Sequence, residues 1–140
     1  MVFIPRKTSQ EMLAEAEAVI PFISVEDALA AAEIAQTSTE AAQIEFIDLR
    51  VLRELYKSGV IRGARSVPRG LLEFWLDQDS PYGRDVFSRE AAFVFYCDNG
   101  WRAALATKLA LEMGLQNALC LRGGLDAWVE IGGPVEPYGW

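Results

Sequence analysis

The chain has 140 residues, 51% of them hydrophobic, and a net charge of −7. That is enough apolar material for one compact domain without disulfide or metal staples, and the acidic balance argues against nucleic acid or an anionic membrane surface as a partner. Histidine is absent, which excludes Cys–His dyads and Ser–His–Asp triads; with only two cysteines, Cys97 and Cys120, no metal site is expected.

In chain order, residues 6–19 carry Met12, Leu13, Ala16 and Val19 among acids at helical spacing, and Pro21 ends the segment. Ser24 followed by Asp27 is a capping signature for a second, Ala-rich helix from Val25 to about Gln36. The polar stretch 37–43 connects to IEFIDL, residues 44–49, a short apolar run of strand type. Arg50 to Ser58 reads as a helix stopped by Gly59; after Gly63 a short strand or extended piece runs to Pro68, followed by a helix through Trp75 and Leu76 and a loop, DQDSPYGRD. The strand Ala92–Tyr96 leads through CDNG into a helix from Trp101 to Met113, with Gly114 at its cap. A last strand, Ala118–Leu121, passes Gly123 and Gly124 into a helix holding Leu125, Trp128 and Val129. Unbroken apolar strands alternating with helices predict an α/β fold with a parallel sheet covered on both faces, in which ligands bind at the carboxyl ends of the strands.

Cys97 falls at such an end, and at a helix start, where unpaired backbone N–H groups and the helix dipole favour a thiolate or persulfide. In the loop that follows it, successive amides form a nest for an anion, Gly100 allows the backbone to close around it, and the fork of Arg102 can orient the loop or neutralise the charge. Residues 50–70 hold Arg50, Arg53, Lys57, Arg62, Arg65 and Arg69 against the single acid Glu54, either a positive wall for an anionic substrate or a solvated face.

The ordered motifs FIDLR, GVIRGARSVPRG, FVFYCDNGWR and LCLRGGLDAW closely resemble a single-domain rhodanese, a sulfurtransferase, from about Phe22 to Pro134. The resemblance implies a three-layer sandwich, a central parallel five-stranded sheet flanked by helices, preceded by an N-terminal helical extension at 1–21 and with the rhodanese-like domain at 22–140. It implies a catalytic Cys97 that carries sulfur as a persulfide, a loop of Asp98, Asn99, Gly100, Trp101 and Arg102 around it, and support from Asp48, Arg50, Arg65 and Arg69. No metal or organic cofactor is required. The expected partners are a small sulfur-containing anion or persulfide as donor and a thiol or cyanide as acceptor, with a protein acceptor possible, in a cytoplasmic monomer or homodimer.

Duller readings stand beside these. Cys120 reads as a small core hydrophobe, Arg102 equally as a structural partner of a carboxylate, Asp48 as the residue that ends its strand and holds the active loop, and Trp101 as a substrate wall or a partner surface. The chain departs from the family pattern at Val60, where a histidine is familiar, at Ala103, where a hydroxyl often follows the arginine, and at Asp98, whose charge would repel anionic donors such as thiosulfate. A cysteine phosphatase or arsenate reductase would have Cys-x5-Arg, but here the arginine comes one position early. A rhodanese-like module without turnover, acting as sulfur carrier or regulatory partner, is the rival from another class.

Overall fold

In the computed structural model, which describes residues 1–40 and 42–139, the chain runs α1 (Ser9–Val19), β1 (Phe22–Ile23), α2 (Val25–Thr37), β2 (Ile44–Asp48), α3 (Leu52–Ser58), β3 (Val60–Ile61), β4 (Arg65–Ser66), α4 (Leu72–Leu76), β5 (Ala92–Tyr96), α5 (Trp101–Glu112), β6 (Ala118–Leu121), α6 (Gly124–Glu130) and β7 (Val135–Glu136). Ala41, within the expected connection 37–43, and Trp140, the last residue of the expected domain, lie outside the described residues. Five strands form a parallel sheet in the order β1-β6-β5-β2-β4, and β3 pairs antiparallel with β7 as a separate ribbon.

The alternation of side chains along the strands builds two cores. Ile47, Phe93, Phe95 and Cys120 face one side, where α5 packs with Ala103, Ala104, Ala106 and Ala110 and α1 adds Ala16 and Ile20. Phe46, Val94, Tyr96 and Leu121 face the other, against Val25 and Ala28 of α2 and Leu125 and Trp128 of α6. Helix, sheet and helix make the three layers that the motifs imply, with the parallel five-stranded sheet at the centre. The run of alanines lets α5 sit close on the sheet, which brings its N-terminus beside the end of β5.

Helix starts follow local chemistry. Thr8 and Glu11 close a capping box on α1, which therefore begins later than the expected residue 6, and the Ser24 hydroxyl accepts the Asp27 amide as its signature predicts. Helix α3 begins at Leu52 rather than Arg50, because the Asp48 carboxylate accepts the Arg50 amide at 3.0 Å and ties residues 48–50 into a turn.

Candidate functional site

Strand β5 ends at Tyr96, so Cys97 is the first residue beyond the sheet, and α5 opens four residues later. Between them Gly100 adopts φ 106°, a left-handed conformation that turns its amide back onto the sulfur: the Gly100 N–H donates to Cys97 Sγ at 3.2 Å. The Cys97 thiol in turn faces Asn99 Oδ1 at 3.9 Å. The nest is smaller than the sequence implies. The Asn99 amide is taken by Asp98 Oδ1 at 2.8 Å and the Trp101 amide by Asn99 Oδ1 at 3.1 Å, so two of the amides expected around the sulfur serve side chains of the loop.

The opposite sides of the loop's peptide units are clamped by α6. Leu125 N–H donates to the Cys97 carbonyl at 2.9 Å and Asp126 N–H to the Asp98 carbonyl at 3.0 Å. Gly124 permits this contact, since a Cβ there would lie 2.7 Å from the Cys97 oxygen and 2.6 Å from the Asp98 oxygen, and its φ of 63° disfavours a side chain in any case. The glycine pair at the junction of β6 and α6 thus seats the cysteine loop.

Arg102 faces carboxylates. Its two terminal nitrogens each donate to Glu54 at 3.0 Å, and one also reaches Asp98 Oδ1 at 3.1 Å. Hydrogen bonding to Glu54 raises the guanidinium further above its usual range. The same bond holds the Glu54 carboxyl below its ordinary value against the opposing effect of burial. At Asp98 burial pushes upward, but the bonds from Arg102 and the Asn99 amide prevail and the net direction is downward. Both acids are therefore ionised at neutral pH, and one cation sits between two anions. Glu54 had no place among the expected site residues; its only local signal is at the third position of α3, where its carboxylate also caps the Val51 amide.

Asp48 and Arg50 form a buried unit at the end of β2. Arg50 donates to both Asp48 oxygens, to the Ser58 hydroxyl and to the Gly59 carbonyl. Asp48 is level with Tyr96 across the β2–β5 pairing, and the Tyr96 hydroxyl accepts the Ile61 amide, so this unit fixes the strand that delivers Cys97. Burial, followed by the charge of Asp48, drives the Tyr96 hydroxyl well above its usual range and keeps it neutral.

Of the six cations in residues 50–70, read either as a positive wall or as a solvated face, three lie against carboxylates. Arg50 is spent on Asp48, Arg69 on Glu73 one helical turn away at 2.9 Å, and Arg65 lies 3.8 Å from Glu45, which also takes Arg89. Acids distant in sequence, or just beyond the counted window, neutralise them. Trp101 projects into solvent with 61% of its surface exposed. Cys120 is fully buried within β6, and desolvation pushes its thiol up to about 12. Among the described residues no group of three or more His, Cys, Asp or Glu could hold a metal ion, and no helix is long and apolar enough to cross a membrane.

Comparison with known proteins agrees with this geometry. A rhodanese-like domain model matches residues 30–131. A sulfurtransferase from Allochromatium vinosum is 28% identical over 102 residues, covering 73% of this chain and 87% of that protein. Among solved structures, a protein of unknown function from Rhodopseudomonas palustris, described as a possible tyrosine phosphatase, is 38% identical with a TM-score of 0.88, covering 97% of this chain and 99% of that one. A human single-domain sulfurtransferase is 26% identical with a TM-score of 0.58, covering 79% of this chain and 96% of that one. With residues 30–131 of its 140 matched by the family model, the chain belongs to the rhodanese-like family, and its sulfurtransferase relatives support sulfur-transfer function at the level of the family.

Proposed function

We propose that this protein is a sulfurtransferase in which Cys97 carries sulfane sulfur as a persulfide between a donor, thiosulfate or another persulfide, and a thiophilic acceptor such as cyanide or a thiol. The observation that carries this reading is the Gly100 amide 3.2 Å from a sulfur placed at a strand end and a helix start. In the loading step the Cys97 thiolate attacks the outer sulfur of the donor; a new S–S bond forms, the donor's sulfur bond breaks, and the remainder departs with the electron pair as sulfite or a thiolate. In the unloading step the acceptor attacks the outer sulfur and Cys97 leaves as thiolate. The Gly100 donor and the α5 terminus stabilise the anion at both ends of the cycle, while Asp98–Asn99–Gly100–Trp101–Arg102 shape the opening. Asp48 and Arg50 act as positioning residues, and Arg65 and Arg69 as supporting surface groups. The reading extends to a cytoplasmic setting, in which both free cysteines stay reduced.

The phosphatase description of the Rhodopseudomonas relative is the second reading worth testing. Against it stands the short Cys-x4-Arg loop, whose arginine is held by Glu54 and Asp98 and so is not presented to a tetrahedral oxyanion. Incubation with inorganic polysulfide or thiosulfate, followed by intact-protein mass spectrometry, separates the readings. Addition of one sulfur to the wild type, lost in Cys97→Ser and kept in Cys120→Ser, supports sulfur transfer. No addition from any sulfane donor indicates a module without turnover, and Cys97-dependent hydrolysis of a generic phosphate ester indicates the phosphatase.

A further inference from the structure

Cys97 has no accessible surface, yet sulfur transfer requires a donor to touch it. Something over the sulfur has to move, and the backbone is held: the Leu125 and Asp126 amides bond the Cys97 and Asp98 carbonyls, and the Gly100 amide is already on Sγ. Among the described residues the one side chain hydrogen-bonded to the sulfur is Asn99, which is itself exposed. Its oxygen is shared. Asn99 Oδ1 accepts the Cys97 thiol at 3.9 Å and the Trp101 amide at 3.1 Å, so a single carbonyl ties the cysteine to the first residue of α5. The Nδ2 group on the same carbon has no hydrogen-bond partner among the described residues.

That arrangement suits a thiol and no later species. A thiol has a proton to give to Oδ1, whereas a thiolate or a persulfide anion has none and attracts N–H donors instead. An asparagine amide corrects this by a half-turn about its terminal torsion, which is broad and two-fold and exchanges oxygen for nitrogen. The half-turn lifts the acceptor from the thiol, brings Nδ2 to the sulfur side and frees the Trp101 amide, one of the donors that the start of α5 leaves without a helical partner. The outer sulfur of a persulfide is about 2 Å from Sγ, within reach of groups that close. We infer that Asn99 is both the latch of the site and a catalytic residue: its oxygen closes over the resting Cys97 thiol, and its rotated Nδ2 donates to the outer sulfur. This role rests on the persulfide reading above. In loading from a polysulfide, the thiol proton passes to water as Oδ1 leaves it, and the Cys97 thiolate attacks the terminal sulfur. A new S–S bond forms, the shortened polysulfide departs with the electron pair of the bond that breaks, and the outer sulfur left on Cys97 is the anion that Nδ2 meets.

Two variants test the two halves of the role. Asn99→Ala removes both groups, while Asp98→Asn/Asn99→Asp keeps an acceptor for Trp101 and the local charge but leaves no donor at position 99. Intact-protein mass spectrometry reads two rates, labelling of the unloaded protein by iodoacetamide and sulfur uptake from inorganic polysulfide. Labelling should rise at least about threefold in Asn99→Ala and stay level in the exchange variant, whose uptake should fall about tenfold. A residue that only shapes the loop predicts the opposite, because the exchange variant retains the Trp101 bond and would load like the wild type. Equal uptake by the exchange variant and the wild type, or labelling of Asn99→Ala no faster than the wild type, overturns the role of Asn99 and leaves the persulfide reading intact. Loss of fold in Asn99→Ala would show as a second label, on Cys120, and uptake by the exchange variant then decides. A wild type that takes up no sulfur from polysulfide overturns both.

Discussion

Cys97 and Cys120 are equally inaccessible and share one core cluster, Cys120 on β6 and Cys97 just past the end of the neighbouring β5, whose Phe95 is level with Cys120. Their surroundings nevertheless differ in kind. Cys120 is inside β6, where its own amide bonds Pro21 and its sulfur meets Thr107 and apolar neighbours; an anion there would be desolvated without backbone donors. Cys97 is one residue past its strand, where the chain has left the ladder and an amide can turn onto the sulfur. Burial is the same for the two thiols, and what distinguishes them is position relative to the end of the strand.

The sharpest way to break this comparison is to exchange each sulfur. Cys97→Ser should reduce sulfur loading by at least about a hundredfold, because no other thiol in the fold is activated, whereas Cys120→Ser should retain loading and lose roughly 1–3 kcal/mol of stability by placing a hydroxyl in an apolar site, measured by urea denaturation. Loading at Cys120 in the first variant would refute the argument. Next in size is Gly124→Ala. Its methyl group must displace the Cys97 and Asp98 carbonyls, and we expect about a tenfold loss of loading rate with stability lower by about 2 kcal/mol. An unchanged rate would show that the loop does not depend on α6.

Two smaller effects probe the charged side of the loop. Glu54 and Asp98 both have folded values below their unfolded ones, so the stability they contribute is complete above their ordinary range and is lost as pH falls through the lowered folded values. Glu54→Gln should therefore flatten the acid limb of a stability–pH profile measured by thermal melts between neutral pH and strong acid, while leaving the neutral limb's shape unaltered; an identical acid limb would mean that the bridge is not formed in solution. Asp98→Ala removes one of the two negative charges beside Arg102, and thiosulfate:cyanide turnover should rise about threefold at low salt and less at high salt. A lower rate would mean that Asp98 serves the loop by receiving the Asn99 amide rather than opposing the donor.

The central strands β5 and β6 are legible to the residue in the sequence, because continuous apolar runs bounded by glycines and polar turns leave no alternative. Of the four two-residue strands only β4 falls in an extended piece expected from the sequence; β1, β3 and β7 do not, because two residues cannot display a period and their pairing is decided by what lies beside them. The site divides in the same way. Cys97 and the special conformation at Gly100 can be read locally from a strand, a glycine and a helix start. The partner of Arg102 cannot, since Glu54 is 48 positions away and meets it only because α3 and α5 open at the same edge. The neutralisation of Arg65 by Glu45 was hidden for the same reason: β2 and β4 must pair before the two residues meet. Local sequence reveals a nucleophile more readily than the field around it.

The clamp from α6 has a consequence for how the loop responds to its cargo. The bonds from Leu125 and Asp126 anchor the Cys97 and Asp98 carbonyls, and so hold in place the stretch of backbone from which the Gly100 amide turns onto the sulfur. A loop without such anchors would have to reposition its donor each time negative charge shifted from Sγ to an outer sulfur atom. On the persulfide reading proposed above, a loop pinned to α6 by hydrogen bonds would offer the same Gly100 donor to thiolate and to persulfide, with little reorganisation between the two half-reactions.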